Sequence, residues 1–224
     1  DSREPPGWYG KLSMLGDFAQ RRLPAEFVQR CDTWLSQAMA SSREQLGANW
    51  LDVYLNAPVL RFAWAPGVLD AHWWFGVLMP SVDAVGRYFP LVIAVSAPQA
   101  PSDAQALAQW AQWYDSVGQC AMQTLQDGAT LEAFEKAMAA VATPMTAAST
   151  TWADARVGEW QLQPKDGVWP HDAATIVLRA LAARLQSHSA WWQQQNSAGD
   201  APPVTVMQGL PAAERFVGLL HGAL

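Results

Sequence analysis

The sequence predicts an α/β domain, a three-layer α/β/α sandwich with a mixed central sheet. Three observations carry this expectation. Short apolar runs rich in Val, Leu, Ile and Trp recur through the first hundred residues, at strand length and with turn residues between them. Longer stretches with apolar residues at helical spacing are interleaved with these runs, most clearly after Pro24 and after Asp103. Half of the 224 residues are apolar and 15% are charged, a globular balance, and the length suits a single domain over residues 1–224.

Taken in order, residues 1–6 are a polar, Pro-rich lead-in. A first strand is expected near 8–12, in the run Gly7-Trp8-Tyr9-Gly10-Lys11-Leu12. Residues 13–18 turn the chain, with Gly16 expected at a positive φ and Asp17 placed to cap the turn or a helix. A helix is expected over about 25–40, with Phe27, Cys31, Trp34, Leu35 and Ala38 on one stripe, and a second over about 42–55. Ala57-Pro58 stops it, because the residue before proline avoids the α region. Strands follow near 59–65, 71–79 and 88–96; the hairpin-like spacing argues against a purely parallel sheet. Leu91 to Val95 does not alternate, which suits a strand covered on both faces.

In the later half, Ser102 or Asp103 caps a long helix reaching about Leu125, and Thr130 caps another to about Val141. Residues 142–155 read as a surface loop, 157–163 as a strand and 172–187 as a helix. Ala190-Trp191-Trp192 reads as an edge strand, 193–203 as a polar mobile stretch, 204–207 as a late strand, and Pro211 as the start of a closing helix to about His221.

Composition excludes several function classes. A net charge of −6 provides no basic face for nucleic acid. No apolar run reaches the length of a membrane-spanning helix. Cys31 and Cys120 fit no metal or redox spacing and are expected as buried, reduced thiols in a cytosolic protein. His72, His171, His188 and His221 are scattered without ligand spacing, so no metal site is expected, and no glycine motif supports a nucleotide or other cofactor. Thirteen Trp imply large aromatic cores, and in the pairs Trp73-Trp74 and Trp191-Trp192 one indole of each must face the opposite side of a strand.

The candidate site lies in the polar insert between two strand-like runs, Pro80 to Arg87. Ser81 and Asp83 are expected to bond backbone N–H groups in a turn, and Asp83 and Arg87 are four apart, a spacing that pairs them if the insert is helical. Asp17, Arg21 and Arg22 form a second charged cluster, able to hold a carboxylate or phosphate. A rival reading makes Ser81 the nucleophile of a small hydrolase or ligand-binding enzyme, with Asp83 and a distant His; Ser81 lacks the GxSxG elbow such enzymes use.

The run Gly7-Trp8-Tyr9-Gly10-Lys11-Leu12, with Gly16-Asp17-Phe18 and Arg21-Arg22-Leu23-Pro24, resembles the opening of the TagF (ImpM) family. So do Pro58-Val59-Leu60-Arg61-Phe62, the block from Gly76 to Asp83, the block from Gly86 to Leu91, Ser189-Ala190-Trp191-Trp192 and Gly209-Leu210-Pro211. The resemblance implies a three-layer α/β sandwich and a cytoplasmic, non-enzymatic accessory protein of the type VI secretion system of a Gram-negative bacterium. It further implies post-translational repression of secretion through an FHA-domain scaffold protein. Gly16, Asp17, Arg22, Ser81, Asp83 and Arg87 are then the expected partner-binding surface.

Overall fold

In the computed structural model, the described residues are 4–101, 103–144, 150–156, 159–164, 182, 184–194 and 203–222. Among the described residues, seven strands form one sheet in the order β2-β1-β5-β4-β3-β8-β9. They are β1 (Gly7–Gly10), β2 (Ala19–Arg21), β3 (Leu60–Trp64), β4 (Trp73–Met79), β5 (Leu91–Ala97), β8 (His188–Gln193) and β9 (Thr205–Gln208). Two further strands, β6 (Thr150–Arg156) and β7 (Glu159–Pro164), pair as a separate hairpin. The fold is thus mixed in helix and strand, but the sheet is not mixed: every pairing between these strands is antiparallel. The nearest to a parallel contact is an isolated bridge, His188 to Gly209.

The sheet centre follows from its residues. Every residue of β4 is buried, and successive side chains feed different cores. Trp74 and Leu78 pack with Leu60, Phe62 and Trp64 of β3 and with Trp191. Trp73, Phe75, Val77 and Met79 enter the opposite cluster, with Leu91 and Ile93. The first cluster is roofed by α1 (Ala25–Leu46), α2 (Trp50–Leu55) and a short α5 (Phe216–Leu220). The second is roofed by α3 (Ala104–Gln123) and α4 (Leu131–Ala140).

Aromatic rings fill both clusters. Phe27 of α1 lies 4.2 Å from Trp74, and Phe75 lies 4.2 Å from Trp110 of α3. Both Trp73 and Trp74 are buried, so this pair leaves no open indole. Cys31 and Cys120 are free thiols inside opposite clusters.

Helix starts match their caps: the Asp103 carboxylate accepts from Ala106 N at 2.7 Å, and the Thr130 hydroxyl accepts from Ala133 N at 3.2 Å. The first helix is longer than expected. Nothing at Ser41 or Ser42 breaks it; the break falls at Gly47, whose φ of 51° favours glycine, and a 3-10 turn leads into α2.

Other expectations need correction. Ala190 to Trp192 lies on an interior strand, because β9 covers its outer side. Ala19 to Arg21 forms an unforeseen strand, and the stretch expected as a loop over 142–155 overlaps β6. The closing helix is a 3-10 turn over Ala213–Arg215 followed by α5. The helix expected over 172–187 and the stretch 193–203 fall largely outside the described residues.

Candidate functional site

Strand β4 ends at Met79 and β5 begins at Leu91, and between them the chain makes a small tied loop. Val82 and Tyr88 bridge across its base, Phe89 N donates to Ser81 O at 3.1 Å, and Asp83 N donates to Arg87 O at 3.1 Å. Gly86 N returns to Asp83 O at 3.0 Å, so the loop is a turn and not a helix. Asp83 and Arg87 nevertheless pair, through the turn's geometry: Arg87 Nε donates to Asp83 Oδ2 at 2.8 Å.

Asp83 is the hub. Its side chain is 0% exposed and receives a second cation, Lys11 Nζ, at 2.5 Å; the Lys11 side chain is 4% exposed. Its Oδ1 accepts from Val85 N at 3.1 Å and Arg87 N at 2.8 Å. Burial alone would raise this carboxyl's pKa. The bonds from Lys11, from the Arg87 backbone and guanidinium, and from Val85 outweigh it and hold the group well below the usual carboxylate range.

The loop is tied to the turn after β1. Ser81 Oγ donates to Lys11 O at 2.7 Å, and Ala84 N donates to Leu15 O at 2.8 Å. Arg87 Nη2 donates to Gly16 O and lies 3.7 Å from Asp17 Oδ1. Lys11 Nζ also sits 4.6 Å from the centre of the Phe18 ring. Gly10 makes the approach feasible, with φ 135° and a notional Cβ only 2.1 Å from Pro90 O. From below, Tyr54 of α2 donates to Ser81 O and accepts from Ser81 N, both at 2.9 Å. Tyr54 was not foreseen as part of this cluster, and neither was Lys11.

Five of the six expected residues, Gly16, Asp17, Ser81, Asp83 and Arg87, therefore meet in one place. Arg22 does not join them. At φ 60°, it leaves the far end of the β1–β2 hairpin and holds Glu135 of α4 with two bonds, of 2.7 and 3.2 Å. Trp8 Nε1 donates to the same carboxylate at 2.6 Å and Arg21 lies 3.7 Å away. Burial acts to raise the Glu135 pKa, but the Arg22 and Trp8 bonds and the charges of Arg22 and Arg21 bring it below its ordinary value. The expected grouping of Asp17 with Arg21 and Arg22 is thus split between two sites. Gly16 is not among the positive-φ glycines.

Chemically, the cluster is built to fix two loops. Ser81 is buried, its hydroxyl committed to a carbonyl, and among the described residues no histidine bonds to it; His171 lies outside them. Among the described residues, no group of three His, Cys, Asp or Glu is arranged to hold a metal ion, and no helix is long and apolar enough to cross a membrane. The rim is what faces solvent. Val85 at the tip is 67% exposed, Phe18 45%, and the Arg87 side chain 54%, with the exposed Asp17 alongside.

Comparison with known proteins places this arrangement in a family. No curated protein matches the chain. Among solved structures, it is similar to the crystal structure of PA0076 from Pseudomonas aeruginosa PAO1. The two are 36% identical, the match covers 96% of this chain and 93% of that one, and the TM-score is 0.78. A family model described as the TagF N-terminal domain, type VI secretion system-associated, matches residues 7–141, which include both tied loops, and the chain belongs to that family.

Proposed function

We propose that this protein is a non-enzymatic accessory regulator of the type VI secretion system, acting in the cytoplasm by binding an FHA-domain scaffold protein and so repressing secretion. The family match over residues 7–141 is the observation that carries the reading. Helical cover on both sheet clusters supports the three-layer arrangement expected for such a domain.

The contact surface is the rim of the tied loops. Asp83, Lys11 and Ser81 are too deep to meet a partner; they hold Phe18, Val85, Asp17 and Arg87 in fixed positions. Apolar side chains beside a guanidinium, on a surface ordered in advance, reduce the entropic cost of binding. Commitment of the Ser81 hydroxyl to Lys11 O argues against the hydrolase alternative.

Co-purification from the native host, paired with a secretion assay, tests this. Overproduction of the protein is expected to lower type VI secretion and to retain the FHA-domain scaffold on the tagged protein. Unchanged secretion with no scaffold retained would contradict the reading.

A further inference from the structure

A second site lies on the opposite side of the sheet from α1, in a trough between α3 and strands β3, β4 and β8. Its volume is about 400 Å³, and its lining is mostly apolar. That lies within the range of roughly 300–1,000 Å³ typical of small-molecule sites. The trough has a direction. On β3, Arg61 stands opposite Val77 and Trp192, and Ala63 stands opposite Phe75 and Ala190. On α3, Leu107, Ala111 and Tyr114 fall on one stripe about 10 Å long at 1.5 Å per residue.

The hollow exists because alanines face one another, at positions 63, 111 and 190, where larger residues would fill it. One end is lined by apolar groups, including Trp73, Pro101 and the exposed Leu107. The other end is cationic. The Arg61 side chain is 11% exposed, its guanidinium lies 5.5 Å from the Tyr114 ring centre, and Nη2 donates to Asp115. Tyr114 is itself fixed, its hydroxyl donating to Phe62 O at 2.6 Å. Arg61 Nε is buried and has no acceptor among the described residues. The guanidinium as a whole stands at the end of the apolar trough, with donors beyond the one given to Asp115.

The geometry points to a binding site for an amphiphile with an unbranched apolar tail and a carboxylate head, of the medium-chain fatty acid class, with the head on the exposed edge of the Arg61 guanidinium and the tail along Ala63, Ala111 and Ala190. A monovalent carboxylate suits the head position better than a dianionic phosphate, because the Asp115 carboxylate already stands on the same guanidinium. The site stands apart from the tied loops and does not depend on the secretion reading.

The test is a calorimetric titration of the full chain with decanoate below its micellar concentration, with 1-decanol as the uncharged counterpart. Saturable binding at one site is expected. Ala111→Trp, at an exposed helix position, fills the trough and is expected to weaken both ligands at least tenfold. Arg61→Gln is expected to weaken decanoate at least tenfold while leaving decanol unchanged, which also reports that the variant is folded. Asp115→Asn, also exposed, is expected to tighten decanoate. Absence of saturable decanoate binding overturns the proposal; if N-acetyl-leucinamide binds instead, the trough takes a protein side chain. Binding that ignores Ala111→Trp overturns the location, and equal loss of decanoate and decanol in Arg61→Gln overturns the role of the head.

Discussion

Asp83 and Glu135 are both carboxylates held by arginine, and each ties the β1–β2 region to another part of the fold, yet they sit in different physics. Asp83 is buried between Lys11, Arg87 and two backbone N–H groups. Glu135 is partly exposed and is held by Arg22 and the Trp8 indole, with Arg21 nearby. A buried ion with every lone pair occupied fixes geometry, and losing one partner leaves another charge stranded. A partly solvated ion pair lets water replace what is lost. The first kind can present a surface to a partner; the second fastens a hairpin to a helix.

That contrast is sharpened by substitution. Lys11→Met should cost the most, about 3 kcal/mol, because Asp83 stays buried with a single cation; the midpoint of urea unfolding checks it. Adding Asp83→Leu should recover only part of the loss, since Val85 N and Arg87 N are then left without their acceptor. Full recovery would mean that the ion pair, and not the turn bonds, is what matters. Glu135→Ala should cost about 1 kcal/mol by the same measurement, in line with a partly exposed pair. Asp17→Ala, exposed and only 3.7 Å from Arg87, should change stability by less than about 0.5 kcal/mol.

Acid separates the two sites from the rest of the molecule. Both carboxyls have folded pKa values below their ordinary ones. Their stabilisation is therefore complete above the unfolded values, about 3.9 for Asp and 4.3 for Glu, and is lost as pH falls toward the folded values. The urea midpoint should be flat between roughly pH 5 and 7 and fall steeply below about pH 4. Asp83→Asn should flatten that acid limb. A variant as acid-sensitive as the wild type would show that other carboxylates govern the fall.

Much of this fold was legible in advance, for identifiable reasons. The unbroken apolar run of β4 and β5 signalled strands covered on both faces, and the stripe from Phe27 to Ala38 signalled α1. Asp103 and Thr130 announced their helices through capping chemistry. Strand β2 was not legible, because Ala19-Gln20-Arg21 has no apolar pattern and is held by backbone pairing to β1. The direction of pairing was legible only in part: hairpin-like spacing argued against a purely parallel sheet, but nothing in the strand patterns showed that every pairing is antiparallel.

At the site, proximity in sequence suggested grouping Asp17 with Arg21 and Arg22, whereas the hairpin sends them to opposite ends. Lys11 escaped notice because a lysine beside a strand is normally solvated. Its one sequence signal was its position within an aromatic run, next to Gly10, where a lysine has little solvent to reach.

The most direct measurement is the affinity of the purified protein for the proposed partner, an FHA-domain scaffold of the type VI secretion system from the same host, for the wild type, Val85→Asp and Glu135→Ala. Val85 is exposed at the loop tip and touches none of the bonds that hold the loop by its side chain, so Val85→Asp should leave the urea midpoint in place. Val85→Asp should weaken binding at least tenfold, whereas Glu135→Ala, although less stable, should bind as the wild type does. Wild-type affinity in Val85→Asp, or no affinity for the scaffold in any of the three, would contradict the account.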